Sequence, residues 1–234
     1  MDGVNILSSK DYKLEVEKST IKSRCAILIK NDIEYIRRDD LEETDLCACT
    51  IDINGSQKYR IINFYRLFNP PNNHSQTEHF ALQLNLIDKI SANTNGRKLI
   101  IAGDFNLDND NRYSTSYRFR NLFEIQNTIF DRHHLIQIIE FPTWHRVVNN
   151  VLKQSVIDHV YVKDPTDISN IYAIEPLVGD HKLIIFDILH TQEPLKPSMK
   201  RNWQKYKTEL LWDELASINF NIVSDDVQSM WNKF

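Results

Sequence analysis

Lys98-Leu99-Ile100-Ile101-Ala102-Gly103-Asp104-Phe105-Asn106 is the stretch on which the reading of this chain turns. The apolar run after Lys98 reads as a buried strand, and Gly103 gives the backbone room to turn as it leaves the sheet. The strand's end then presents an acid and an amide two residues apart. If both stay extended, a period of two puts Asp104 and Asn106 on one face at the rim, where a phosphate, a metal or a water could sit. The same pair is also what an Asx turn leaves wherever a strand stops.

Two later stretches weigh on that choice. Val156-Ile157-Asp158-His159-Val160-Tyr161-Val162 is a strand with an acid in its middle. In Leu177 to Phe186, Gly179-Asp180-His181 stands directly before another apolar strand. Each strand carries a charged or imidazole group that is costly to bury without a partner. A chain that needed only stable strands has little reason to do this repeatedly. The coincidence favours a hydrolytic acid–histidine site over separate structural explanations, such as Asp158 pairing with a buried Arg.

Outward from these strands, the 234 residues fit one domain with an appendage. Hydrophobic residues make up 41% and charged residues 26%, ordinary values for a globular chain. A net charge of -4 gives no bulk argument for nucleic acid, although a local basic patch would suffice. Cys25, Cys47 and Cys49 have no metal-ligand spacing with histidines and read as reduced, partly buried thiols of a nuclear or cytoplasmic protein. Met1 opens no signal peptide and no run reaches membrane-spanning length, so secretion and membrane partners are not expected.

In chain order, residues 1–11 read as loop. Tyr12 to Glu17 alternates as an edge strand, and Arg24 to Lys30 holds a buried one. Ile33 to Arg37 is a short strand. Leu46 to Ile53 is another, closed by Asn54-Gly55, a hairpin signal, with Lys58 to Tyr65 as its partner. Pro70 and Pro71 break the chain before a helix over Gln76 to Ala92, striped by Phe80, Leu84, Ile87 and Ile90 and widened by Leu82 and Leu86. A polar loop runs from Asn106 to Ser116, then a helix from Tyr117 to Gln126. Phe141-Pro142-Thr143-Trp144-His145 is a rigid turn, with Trp144 either a core plug or a surface stacker. Asn149, Asn150 and Lys153 read as a loop near the rim. Strands over Val156–Val162, 171–177 and 182–189 close the domain, so that many short strands with few helices suggest an α/β sandwich of two sheets. Residues 1–192 form this domain. Residues 193–234 are a separate basic, Trp-containing helical segment (Lys200, Arg201, Trp203, Trp212, Trp231).

An acid and an amide at one rim can hold a divalent metal and a water. An Asp beside His181 would fix its tautomer and support its charged form, letting the imidazole contact a phosphate or move a proton. Tyr65, at a strand end, could donate to the same phosphate. Oxygen-rich ligands favour magnesium or manganese over zinc. His159 should point away from Asp158 and reads as a satisfied core residue or a support of the site. His145 and His133-His134 lack partners at metal spacing.

These residues resemble the endonuclease/exonuclease/phosphatase superfamily, and within it the apurinic-like endonuclease domain of non-LTR (LINE-type) retrotransposons. The likeness rests on Gly103-Asp104-Phe105-Asn106, Ser155-Val156-Ile157-Asp158-His159-Val160 and Gly179-Asp180-His181, with Ile61 to Tyr65 and Phe141 to Trp144 in support. Arg201-Asn202-Trp203-Gln204-Lys205-Tyr206 and Asp226 to Trp231 resemble the linker that leads to the reverse transcriptase of such elements. The resemblance implies a four-layered α/β sandwich, two mixed sheets flanked by helices, and metal-dependent hydrolysis of phosphodiesters in double-stranded DNA. It implies that Asp104 positions or deprotonates the attacking water and Asn106 orients it. Asp158 would hold His181 against the phosphate, Tyr65 would stabilise the pentacovalent state, and Asp180 together with Asp104 would bind Mg2+ or Mn2+. The nick would leave a 3′-hydroxyl that primes reverse transcription.

Two departures bear on activity. Gly179 stands where family members have Ser, which removes a minor hydroxyl contact. The family's opening strands, with their Asn and metal-binding Glu, have no counterpart before Asp11, and Glu15 and Glu17 lie on what reads as the following edge strand. The chain therefore resembles a domain lacking its first two strands. That predicts an unpaired apolar edge and weak or absent catalysis. The competing readings are a non-catalytic DNA-binding remnant and a phosphatase of the same superfamily.

Overall fold

A computed structural model describes residues 11–188, apart from 21, 56, 72, 110–116 and 177–178. Residues 193–234, with the basic Trp-containing segment, lie outside the described residues. The described strands are β1 (Tyr12–Val16), β2 (Ala26–Lys30), β3 (Tyr35–Arg37), β4 (Ala48–Ile53), β5 (Tyr59–Tyr65), β6 (Lys98–Asp104), β7 (Ile136–Gln137), β8 (Trp144–Val148), β9 (Val151–Ser155), β10 (Asp158–Val162), β11 (Ile168–Ile174) and β12 (Leu183–Ile188). The helices are α1 (Gln76–Ala92) and α2 (Tyr117–Arg132).

One six-stranded sheet, in the order β3-β4-β5-β6-β10-β7, carries the molecule. β5 and β6 run parallel, joined through α1, and their other neighbours are antiparallel, so the sheet is mixed. Crossing between parallel neighbours needs a long connection, which α1 supplies. That helix starts where a capping box holds it: Ser75 accepts from the Glu78 N–H, and the Glu78 carboxylate accepts from the Ser75 N–H.

Alternation sorts the sheet's side chains. Ile62 and Phe64 of β5, Leu99 and Ile101 of β6 and Tyr161 of β10 face α1 and α2, where Phe80, Leu84, Ile87, Ile90, Leu122, Phe123 and Phe130 close the larger core. Tyr59, Ile100, Val160 and Val162 face the other way and pack with Ile168, Ile184, Phe186 and Ile188 of an antiparallel β11–β12 ribbon. A second ribbon, β1–β2, is tied to that same face by Cys25, Cys47 and Cys49 and by an Asn63 side chain donating to the Ala26 carbonyl at 2.8 Å. All three thiols are free and buried.

The mixed α/β sandwich expected from the sequence is therefore the fold, with a layer of helices, a full sheet and a further β layer. Among the described residues that last layer consists of two ribbons that share no ladder. Several local expectations change. Asp158 opens β10 and does not sit mid-strand. α2 runs on to Arg132, past the Gln126 limit read from sequence. Leu82, read as widening the apolar stripe of α1, is exposed. Trp144 to Ser155 forms an antiparallel hairpin, β8–β9, turned by Asn149 and Asn150 at φ 52° and 61°, where the sequence suggested a loop. Positive φ at both turn residues is the type I′ signature, and asparagine tolerates it.

Candidate active site

Three neighbouring strands end together on the ribbon face of the sheet. Tyr65 closes β5 directly beside Asp104, which closes β6, and Asp158 opens β10 directly opposite Asp104. Residues paired in this way share a face, so ladder register alone sets a tyrosine and two carboxylates in a row across the rim. The row lies at the carboxyl ends of parallel β5 and β6, the end at which open α/β sheets bind ligands.

His181 reaches this row from the segment before β12. Its Nδ1 lies 2.9 Å from Asp158 Oδ2, and its backbone bridges to Trp144. The hydrogen bond to Asp158 raises the imidazole's pKa above the ordinary histidine value, against the opposing effect of burial, with Asp104 and Asp180 adding to the rise. Asp104 moves in the unusual direction for an acid. Burial and then the Asp158 charge push its pKa up to about 6. Backbone donation from Asn106 and the Arg66 charge restrain that rise.

Asn106 does not continue the strand. It sits at φ 46°, its N–H donates to Asp104 Oδ1 at 2.8 Å, and its Nδ2 donates to Asp104 Oδ2 at 3.1 Å. The extended geometry read from sequence is thus replaced by an Asx turn, and the turn itself fastens the amide to the carboxylate. Between the two, Phe105 is fully buried among Phe64, Phe130 and Tyr161 and stacks on His159 at 4.9 Å. The buried ring anchors the loop from below while its neighbours stay at the rim.

Asp104, Asp158 and His181 place ligand atoms within 4.8 Å of one another. Two carboxylates and one imidazole this close together are a candidate donor set for a divalent metal ion. The Asp180 carboxylate is outside this group, and its backbone carbonyl accepts from the His145 N–H at 3.0 Å. Glu15 meets Tyr35 and Arg37, and Glu17 is buried with one oxygen on the Arg24 N–H, so neither joins the cluster. His159 is buried on the helix side, with Nε2 at 3.0 Å from the Val156 carbonyl.

Other residues hold the constellation in place and escaped the sequence reading. The Thr143 hydroxyl accepts from the Ile157 and Asp158 N–H groups at 3.2 and 3.0 Å, while its carbonyl accepts from the Lys182 N–H at 2.6 Å. One buried side chain thereby ties the Asp158 strand to the His181 segment. Its signal was only a threonine in a turn. Arg66, buried directly after Tyr65, donates to the Asn106 carbonyl at 2.6 Å and lies over the Phe80 ring at 5.1 Å. Trp144 does not plug the core. With Phe68, Asn106, Ser155, Ile157 and His181 it lines an open cleft of about 270 Å³.

Among the described residues no helix is long and apolar enough to cross a membrane. No curated protein matches the chain. Among solved structures, the endonuclease domain of TRAS1, a telomere-specific non-LTR retrotransposon, is similar with a TM-score of 0.61 at 17% identity, over 78% of this chain and 82% of that chain. The 3′ phosphatase NExo from Neisseria, bound to a product DNA hairpin, gives 0.52 at 15% identity over 77% and 80%. An AP endonuclease from Archaeoglobus fulgidus gives 0.52 at 11% identity over 76% and 80%. Identities this low show a shared fold, whereas residues 13–181, the span that supplies Tyr65, Asp104, Asp158 and His181, match the family directly. The chain thus belongs to the endonuclease/exonuclease/phosphatase family, whose members are phosphodiester hydrolases.

Proposed function

We propose that this chain is a magnesium-dependent endonuclease that nicks double-stranded DNA on behalf of a retroelement, with residues 193–234 joining it to a reverse transcriptase. The observation that carries the chemistry is the row Tyr65–Asp104–Asp158 with His181 bonded to Asp158. The element assignment is supported by the likeness to the TRAS1 domain and by the sequence after Gln192, where a basic stretch (Lys196, Lys200, Arg201, Lys205 and Lys207) carries Trp203 and is followed by Trp212 and Trp231.

Asp158 fixes the His181 tautomer and favours the imidazolium, leaving Nε2 free to donate to a non-bridging phosphate oxygen. Asp104, held by Asn106, accepts a proton from the attacking water, and a pKa near 6 keeps it ionised yet basic at neutral pH. The water oxygen bonds to phosphorus as the bond from phosphorus to the 3′ oxygen breaks; the leaving oxygen takes a proton from solvent and Asp104 later returns the water's proton to solvent, giving a 3′-hydroxyl and a 5′-phosphate. Tyr65, one position across the ladder, is placed to donate to the charge that develops on the phosphoryl oxygens. A divalent ion held by Asp104 would neutralise phosphate charge. Asp180 would assist from its position beside His181.

Supercoiled plasmid incubated with and without magnesium tests the reading. Wild-type protein is expected to nick only with magnesium, and His181→Ala to lose about two orders of magnitude in rate. Folded protein that binds plasmid but leaves it intact would replace this reading with a non-catalytic DNA-binding domain.

A further inference from the structure

Directly after Tyr65 the chain buries a cation. Arg66 is 2% exposed and does not itself line the Trp144–His181 cleft, but it touches two residues that do. Its guanidinium lies 6.0 Å from the Phe68 ring and donates to the Asn106 carbonyl at 2.6 Å. On its other side the Phe80 ring is 5.1 Å away. The Arg66 backbone is tied to the same turn: its N–H donates to the Asp104 carbonyl at 2.8 Å, and its carbonyl accepts from Asn106 Nδ2 at 2.8 Å.

Taking a guanidinium out of water is costly, and an apolar side chain packs beside aromatic rings without that cost. The charge therefore calls for a task other than packing. Asn106 sits at φ 46°, a conformation that an L residue keeps only where its surroundings hold it. That conformation brings its N–H to Asp104 Oδ1 and its Nδ2 to Asp104 Oδ2. The charge-assisted bond from Arg66 holds the peptide after Asn106, whose rotation would undo the turn. Nδ2 is spent on a carbonyl and a carboxylate, which leaves Oδ1 as the acceptor that Asn106 offers at the cleft.

We infer that Arg66 is a positioning residue of the active site, acting through the Asn106 carbonyl to hold the Asn106 amide against Asp104. Its bearing on hydrolysis rests on the endonuclease reading, in which Asp104, held by Asn106, takes the proton of the attacking water. Its hold on the amide does not depend on that reading.

The two Asn106 Nδ2 protons report on this hold. Their exchange with water can be followed by NMR in the full chain, with the signals assigned by their absence in Asn106→Asp. In Arg66→Met, which keeps much of the stem and loses the donors, both protons are expected to exchange about tenfold faster or more. Backbone amides of Leu99 to Ala102 in β6 should stay within about twofold of wild type. Arg66→Lys, which keeps the charge and a donor, should restore exchange to within about threefold of wild type. In plasmid nicking, Arg66→Met should lower the single-turnover rate about tenfold while plasmid Kd stays within about twofold. Wild-type protein that does not nick would sink the endonuclease reading and leave the Asn106 exchange to decide the role of Arg66. Unchanged Asn106 exchange in Arg66→Met, or β6 amides accelerating together with it, would overturn the proposal. An unchanged nicking rate in a variant whose Asn106 amide has come loose would overturn the role in the reaction. Should Arg66→Met not fold, Arg66→Gln is read in the same way, and failure of both to fold would assign Arg66 to stability alone and overturn the proposal.

Discussion

Asp104 carries an electrostatic burden that stability measurements can read. Its pKa rises from the ordinary carboxylate value to about 6 because burial and Asp158 oppose its charge. An acid raised in the fold destabilises the native state once pH exceeds the unfolded pKa, and the full penalty is present above the folded one. A rise of this size corresponds to about 3 kcal/mol as an upper estimate. Asp104→Asn keeps the shape and removes the charge. In EDTA at pH 8 it is expected to unfold at a higher Tm than wild type, and the gap should close as pH falls from 6 towards 4. Added magnesium should raise the wild-type Tm and leave the variant's unchanged. A variant less stable than wild type at pH 8 would show that the carboxylate's bonds to Asn106 outweigh its repulsion. His181 behaves in the opposite sense. Its raised pKa contributes stability that is complete below the unfolded histidine value and is lost as pH rises through the folded one.

At the scale of elements, Gly103 shows how a correct residue can be read for the wrong reason. The sequence suggests room to turn, yet Gly103 lies inside β6, at φ 150°, and a Cβ there would sit 1.8 Å from the Phe64 carbonyl oxygen of the neighbouring strand. It permits close approach of β5 and β6, and the turn comes later, at Asn106. Gly103→Ala must push apart the strands that align Tyr65 with Asp104. A loss of about 3 kcal/mol or more in urea unfolding is expected, since the clash is with backbone that cannot rotate away. A loss below about 1 kcal/mol would mean that the β5–β6 ladder is loose. Strands with a strong apolar run, β5, β6 and β10, and the helix α1 with its stripe were legible because burial writes a period into sequence. The β8–β9 hairpin was not. Its strands are largely exposed, so little alternation marks them, and only Asn149-Asn150 signalled the turn. The pairing of His181 with Asp158 was legible as residue types, but Thr143 as the clamp between them depends on contacts that no spacing reveals.

Across the whole molecule, the two faces of the central sheet are covered unequally. On the helix side Ile62 and Ile101 are fully buried, while Ile61, Asn63 and Ala102, on the ribbon side of the same central strands, are only partly buried. The ribbons also turn apolar side chains outward: Leu14 and Leu28 pair directly on β1–β2, and Ile174 and Leu183 on β11–β12, all exposed. Two-stranded ribbons are marginal by themselves and depend on the single face they bury. The row of site residues lies on this less covered side, where Asp158 and His181 come from different β layers. Opening of the β11–β12 ribbon would therefore separate the imidazole from its carboxylate without unfolding the sheet. Hydrogen exchange should show β5, β6 and β10 amides exchanging only by global unfolding. The β1–β2 and β11–β12 ladders should exchange through sub-global openings, faster by at least about tenfold. Magnesium held by Asp104, by offsetting the repulsion between Asp104 and Asp158 beside the His181 contact, should slow β12 more than β2. Equal protection of ribbons and central sheet would mean that the molecule opens as one cooperative unit, and that access of substrate to the site needs no movement of the β11–β12 ribbon.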